Sequence, residues 1–330
     1  MEHYSCENCK FQKYLQAMRR PALLFSALVL LLTCSGCGIK ITKGMLKMVL
    51  SASMKPSTEL FYADSCEKRI GIPYVNGGNP GQVLDIYYAD KAVRKDAVLV
   101  DIHGGFYVAG RRENNRGFAS VFLREGYDVV LLEYRLNDGI RDVSDELSDC
   151  AAGLDYLTAH ASELGLNKDR MFLTGDSAGG HLALYMAEGS KDKSLPIHPQ
   201  SFTPRGVLIN CPAYDFATFG DSGSFSKSAL EWFIGPRYKD REWMTSMSPR
   251  TFIGSYNGPL FVSTCTKDFI RSQSLLIKAD CDSLSRPLDF VDIASDDRQV
   301  GHVHNVVNQK LPESKEVNSR MIAFMDGCLQ

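Results

Sequence analysis

The chain has 330 residues, 44% of them hydrophobic and 23% charged, and its 37 basic and 39 acidic side chains leave a formal charge of −2. That balance excludes a nucleic-acid-binding surface or an acidic tail as an organising feature. The length accommodates one large α/β domain with a small cap, and no internal repeat or low-complexity tract interrupts it.

The N-terminus reads separately from the rest. Arg19-Arg20 precede an apolar run of 11 residues, Ala22 to Leu32, and Thr33-Cys34-Ser35-Gly36-Cys37 follows. A basic stretch, a short apolar core and small residues form an export signal. The run is short for a membrane span, which needs about 20 residues. Ser35-Gly36-Cys37 resembles the processing site of bacterial lipoproteins, which implies lipid on Cys37, an extracytoplasmic location and membrane contact through this anchor. An uncleaved signal anchor is the alternative. The signal is compact from Met18 onward, so residues 1–17 read as lying upstream of the true start. Cys6 and Cys9 form a Cys-x-x-Cys, but no second pair or histidine cluster completes a zinc site. If Cys37 is lipidated, six cysteines remain. Export permits disulfides among them without assigning pairs, while Cys211 and Cys265 sit in apolar strands and read as small buried hydrophobes.

Residues 38–60 read as a tether or a first helix leading into a domain that occupies 61–330. The turn-forming Asn76–Gly81 is followed by Gln82–Tyr88, which alternates as a strand. Further strands are expected at Ala97–Ile102, Asp128–Glu133, Met171–Thr174, Gly206–Asn210, Pro259–Thr264 and Leu288–Ile293. Helices are expected near 116–125, 144–164, 178–188, 272–284 and 313–327. In the second of these, Leu147, Cys150, Ala151, Leu154 and Leu157 make a helical stripe. This alternation of β and α predicts a mostly parallel central sheet with helices on both faces. It fails between 215 and 249, where Trp232, Phe233, Tyr238 and Trp243 cluster. That stretch reads as the small cap, a satellite core that also helps to wall a ligand pocket.

Residues 175–180, Gly-Asp-Ser-Ala-Gly-Gly, follow a predicted strand and open a predicted helix. This is the context of the Gly-x-Ser-x-Gly nucleophile elbow, in which Ser177 takes a strained backbone conformation to project its hydroxyl. A second glycine-rich turn, His103-Gly104-Gly105-Phe106, also follows an apolar strand. Its N–H groups, from Gly104 and Gly105, are candidates for one half of an oxyanion hole, with the N–H of Ala178 supplying the other.

These two motifs, together with Tyr134-Arg135-Leu136 and His181 after the elbow, resemble the hormone-sensitive-lipase-like branch of the α/β-hydrolases, over about residues 82–327. Many members of that branch carry a third glycine where this chain has Phe106. The resemblance implies an α/β-hydrolase fold and a carboxylesterase activity. A serine hydroxyl needs a base held by a carboxylate, in the chain order Ser, acid, His. His3, His103, His160, His181 and His198 are misplaced for that order, which leaves His302 and His304. His302 is preferred because Gly301-His302-Val303 resembles the family's histidine turn. His304 is then a pocket-lining residue, although the two can exchange roles. Asp268, at the end of the penultimate strand, matches the family's acid turn, whereas Asp292, Asp296 and Asp297 read as part of, or after, the following strand. The expected reaction runs through an acyl-enzyme on Ser177, with His302 as base, Asp268 as its orienting acid, and no metal or organic cofactor. Phe106, Tyr107, Trp232 and His304 are the expected substrate contacts, and they favour short acyl or acetyl esters. The alternatives are an amide or peptide hydrolase with the same triad and a non-catalytic binding protein on this scaffold.

Overall fold

The computed structural model describes Met54, residues 58–219 and residues 227–330. The export segment with Cys37, most of the 38–60 tether and residues 220–226 of the expected cap lie outside the described residues.

The strands are β1 (Lys68–Pro73), β2 (Val83–Tyr87), β3 (Val98–Ile102), β4 (Asp128–Leu132), β5 (Met171–Asp176), β6 (Val207–Asn210), β7 (Leu260–Cys265) and β8 (Asp289–Ile293). They form one sheet in the order β1-β2-β4-β3-β5-β6-β7-β8. Only β2 runs against its neighbours, and the pairings from β4 across to β8 are all parallel. Strands β3 to β7 are buried along their whole lengths, as expected of parallel strands covered on both faces. The run Val98-Leu99-Val100-Asp101-Ile102 shows the division. Val98, Val100 and Ile102 pack with the helices Val143–His160, Ala178–Lys191 and Arg271–Ser283. Leu99 packs with the helices Arg116–Arg124 and Pro312–Leu329 on the opposite face.

Seven of the eight strands and all five long helices fall where the pattern put them, within a few residues at the ends. The unforeseen strand is β1. It is an edge strand, exposed at nearly every position, with an irregularity between Arg69 and Ile72. Its Lys68, Arg69, Gly71 and Pro73 offer no alternation to read, and they are residues that blunt a sheet edge. The six cysteines of the described residues, Cys66, Cys150, Cys211, Cys265, Cys281 and Cys328, are all free thiols. The disulfides that export would permit are therefore not formed among them. No helix of the described residues is long and apolar enough to cross a membrane.

Two features of this topology position the site. First, the chain visits β4 on one side of β3 and then β5 on the other. The sheet therefore has its topological switch point at β3/β5, and ligands bind outside the carboxyl ends of strands at such points. The turn after β3 and the elbow after β5 lie side by side there. Second, the stretch from 215 to 249 contributes short helices at Phe216–Phe219, Lys227–Ile234 and Arg241–Ser246. They are fastened to the helix Ala178–Lys191, where His181 Nε2 bonds the Met247 carbonyl at 2.8 Å and the Tyr185 hydroxyl donates to the Ser246 carbonyl at 3.0 Å. Burial holds His181 down to about 4, so the imidazole is neutral there.

Candidate active site

Ser177 stands between β5 and the helix Ala178–Lys191 with φ 55° and ψ −116°. The conformation is held by the neighbours rather than chosen by serine. The Ser177 N–H donates to the Asn210 carbonyl at 2.9 Å, and its own carbonyl accepts from Ala213 at 3.2 Å. Gly179 must lack a side chain because a Cβ there would run into the Ile102 carbonyl of β3. Five of the seven non-glycine residues with positive φ among the described residues belong to this region: Phe106, Tyr107, Ser177, Cys211 and Val303. Each such residue costs about 1–3 kcal/mol and persists only where its surroundings over-determine it, which is why they cluster at functional sites. Val303 carries the sharpest strain because a β-branched side chain resists the left-handed region most.

Asp268 follows β7, and its carboxylate is surrounded by donors. His302 Nδ1 lies 2.6 Å from Oδ1, the Ile270 N–H donates to the same oxygen at 3.1 Å, and the Thr264 hydroxyl donates to Oδ2 at 3.0 Å. Burial pushes the Asp268 carboxyl up, but the His302 charge and these donors outweigh it and hold the group below the usual carboxylate range. Phe269 packs on the His302 ring at 4.3 Å between centroids. Cys211 completes the corner, with its sulfur accepting from the Val303 N–H at 3.3 Å beside Asp268 and His302. Burial raises this thiol well above its ordinary range, so it stays protonated. Cys211 is the small buried hydrophobe that the sequence suggests, 1% exposed in the core, and only its contact with this corner was not foreseen. Its place directly after β6, the strand next to the elbow, was the signal available.

An apolar pocket opens at Ser177 and Ala178. Its walls come from Phe106 and Tyr107 of the glycine-rich turn, Phe216, Leu230 and Phe233 of the cap, and Phe269 of the acid loop. The ring centroids of Phe106 and Phe233 are 4.8 Å apart, and those of Phe106 and Phe269 are 5.9 Å apart. The described walls leave only about 20 Å³. Ser177 and the partner of His302, Phe269, thus face one small cavity.

Three expected contacts need correction. Trp232 does not line the pocket. On the helix Lys227–Ile234, the residues Leu230, Phe233 and Ile234 share the face turned to the site, and Trp232 falls off that face by the helical period. His304 does not line it either. It is buried at the start of the short helix His304–Val307, with Nδ1 on the Gly301 carbonyl at 3.2 Å, and burial lowers its pKa. Gly104 is not a free oxyanion donor, because its N–H donates to the Asp176 carboxylate at 3.1 Å. Among the described residues, the N–H groups of Gly105 and Ala178 have no acceptor, and Ala178 stands beside Ser177 in the pocket wall.

A family model described as BD-FAE matches residues 84–279, more than half of the chain. Among curated relatives, a lipase 2 from a Moraxella species is 33% identical over 94 residues, which cover 28% of this chain and 22% of that protein. An acetyl esterase from Salmonella schwarzengrund is 30% identical over 100 residues, covering 30% of this chain and 31% of that one. The chain thus spans between about a fifth and a third of the length of these relatives. The crystal structure of esterase B from Lactobacillus rhamnosis superposes with a TM-score of 0.71 over 92% of this chain and 95% of the other, at 22% identity. That likeness shows the fold.

Proposed function

Given that the chain belongs to the BD-FAE family and has the α/β-hydrolase fold, we propose that it is a serine carboxylic-ester hydrolase acting on short acyl or acetyl esters. The observation that carries this reading is the Asp268–His302 pair, 2.6 Å apart, packed against Phe269, which walls the pocket that Ser177 opens from its elbow. Ser177 attacks the ester carbonyl while His302 takes its proton through Nε2, and Asp268 holds the ring by Nδ1 and stabilises the imidazolium that forms. Gly105 and Ala178 donate to the developing oxyanion. His302 returns the proton to the leaving alcohol, then takes one from water as the acyl-enzyme is hydrolysed.

The narrow pocket argues for a short acyl group. About 20 Å³ is roughly the room for one water, so any chain beyond acetyl must push back Phe233 or Leu230. A series of esters that lengthens the acyl group one methylene at a time tests this. Turnover is expected to peak at the shortest members. Phe233→Ala is expected to move the optimum up the series, since each methylene that gains a berth is worth about 0.8 kcal/mol, or roughly fourfold in kcat/KM. A profile unchanged by Phe233→Ala would place the acyl group elsewhere. Amide analogues measured alongside separate this reading from an amide hydrolase, and a fluorophosphonate that fails to label the protein would favour a binding protein.

Export with lipid on Cys37 is the companion proposal, supported by Arg19-Arg20, the short apolar run and Ser35-Gly36-Cys37. Protein in the membrane fraction of a bacterial host is expected to incorporate labelled palmitate, and Cys37→Ser to lose the label. An unprocessed, unlabelled N-terminus in the same fraction would instead support a signal anchor.

A further inference from the structure

The mechanism above leaves a buried carboxyl pair unused. Asp101, on β3, and Asp176, the residue before the nucleophile, are 2% and 7% exposed. A single nitrogen serves both. Asn115 Nδ2 lies 2.8 Å from Asp101 Oδ2 and 2.9 Å from Asp176 Oδ1. Asp176 Oδ1 also takes the Gly104 N–H. Asp101 has no other hydrogen-bond partner among the described residues.

The surrounding charges are committed to other partners. His103, next in the turn, has acceptors on both ring nitrogens, the Gly104 carbonyl at 2.8 Å and the Glu133 carboxylate at 2.9 Å. Both nitrogens must then donate, so His103 is an imidazolium paired with Glu133. Glu133 is also held by Arg112, at 3.2 Å, and Arg112 in turn by Asp85 and Glu113. His302 is paired with Asp268. Among the described residues, no cation contacts Asp101 or Asp176 directly. Two buried carboxyl groups that share one neutral donor cannot both ionise cheaply.

We propose that Asp101, Asn115 and Asp176 form a proton-holding bracket that positions the oxyanion turn against the nucleophile elbow, with the proton resident on Asp101. Burial pushes the Asp176 carboxyl up as well, but its two N–H donors and the nearby imidazolium of His103 favour its charge over that of Asp101, which makes Asp176 the ionised member. Through Gly104 it fixes the residue before Gly105, and so sets where the Gly105 N–H points. Asn115 fixes Asp176, and neutral Asp101 lets Asn115 stay between the two carboxyls. Burial, and then the Asp176 charge, push Asp101 up to about 8. Release of its proton to alkaline solvent puts two negative charges on one amide and loosens the turn. Asp101 and Asn115 are thus positioning residues. The catalytic part of the proposal rests on the esterase reading.

The test has one arm that needs activity and two that do not. In the active enzyme, kcat is expected to fall above about pH 8 with KM little changed. Asp101→Asn is expected to carry that limb at least about one pH unit higher while leaving the acid limb in place. Asn115→Ala is expected to lower kcat about ten- to a hundredfold at every pH, within the range for a misplaced oxyanion donor. In the inactive Ser177→Ala protein, infrared difference spectra between about pH 6 and about pH 9 should show a protonated carboxyl lost on raising the pH. Melting temperatures supply the third arm. Between the ordinary aspartate range and about 8, the folded protein holds a proton that the unfolded chain has released, so stability falls as pH rises through that window and levels off above it. The melting-temperature advantage of Asp101→Asn is therefore expected to grow across that window. An alkaline limb shared by wild type and Asp101→Asn, or spectra without the carboxyl band, would overturn the bracket. Complete lack of ester turnover with the band present would instead overturn the esterase reading alone.

Discussion

Replacing Ser177 with alanine is expected to abolish ester turnover and leave the protein folded. In a serine hydrolase with such a triad, loss of the serine costs on the order of a millionfold in kcat, because the acyl-enzyme route disappears and only the binding site and oxyanion donors remain. The stability effect is expected to be small for a local reason. The elbow is held through the Ser177 backbone, by Asn210 and Ala213, and the side chain makes no capping bond to the helix that follows. Alanine at φ 55° meets the same strain as serine, so substitution removes the hydroxyl and little else. Intact mass after fluorophosphonate treatment is the cleanest check. The wild type should gain one adduct and the variant none, with melting temperatures close together. Near-normal turnover in the variant, or an adduct mapped to another serine, would sink the assignment.

How much of this could be read from the chain depended on whether the determining contacts were local. The elbow and the glycine-rich turn were legible because each is a strand-turn-helix or strand-turn signal written in consecutive residues. Chain order left His302 and His304 as candidate bases, the resemblance to the family's turns singled out His302 and Asp268, and those two do meet at 2.6 Å. The cap was legible as a break in alternation, but its facing was not. Whether Trp232 or Phe233 turns to the pocket depends on the phase of an eight-residue helix, which the tertiary packing sets. His304 sits two residues from His302, and the left-handed turn at Val303 sends the two in different directions. No pattern marks a valine for that conformation. Gly104 and Gly105 looked equivalent in sequence. They differ because Asp176, seventy-two residues on, captures the N–H of the first. Asp101 was a local anomaly left unread, a buried acid in an otherwise apolar strand.

His302→Ala is expected to lower kcat about as far as Ser177→Ala, since serine and histidine act as a unit and the loss of either alone removes the full covalent route, on the order of a millionfold. His304→Ala provides the internal control, and the structure changes what it should show. Because His304 is buried with its ring on the Gly301 carbonyl and away from the pocket wall, its loss is expected to lower the melting temperature and leave KM for short esters nearly unaltered. A residue lining the acyl pocket would do the opposite. The pair of variants therefore tests more than which histidine is the base. If His304→Ala is the inactive one, the Asp268–His302 contact is a structural salt link and the loop carries its catalytic function two residues later. If both are inactive, the loop's fold is what the assay reports, and Asp268→Asn decides. It keeps the shape of the acid but presents the wrong hydrogen-bond partner to Nδ1, and is expected to cost about ten-thousandfold in kcat with the loop intact. A near-wild-type kcat in Asp268→Asn would remove the relay from the mechanism.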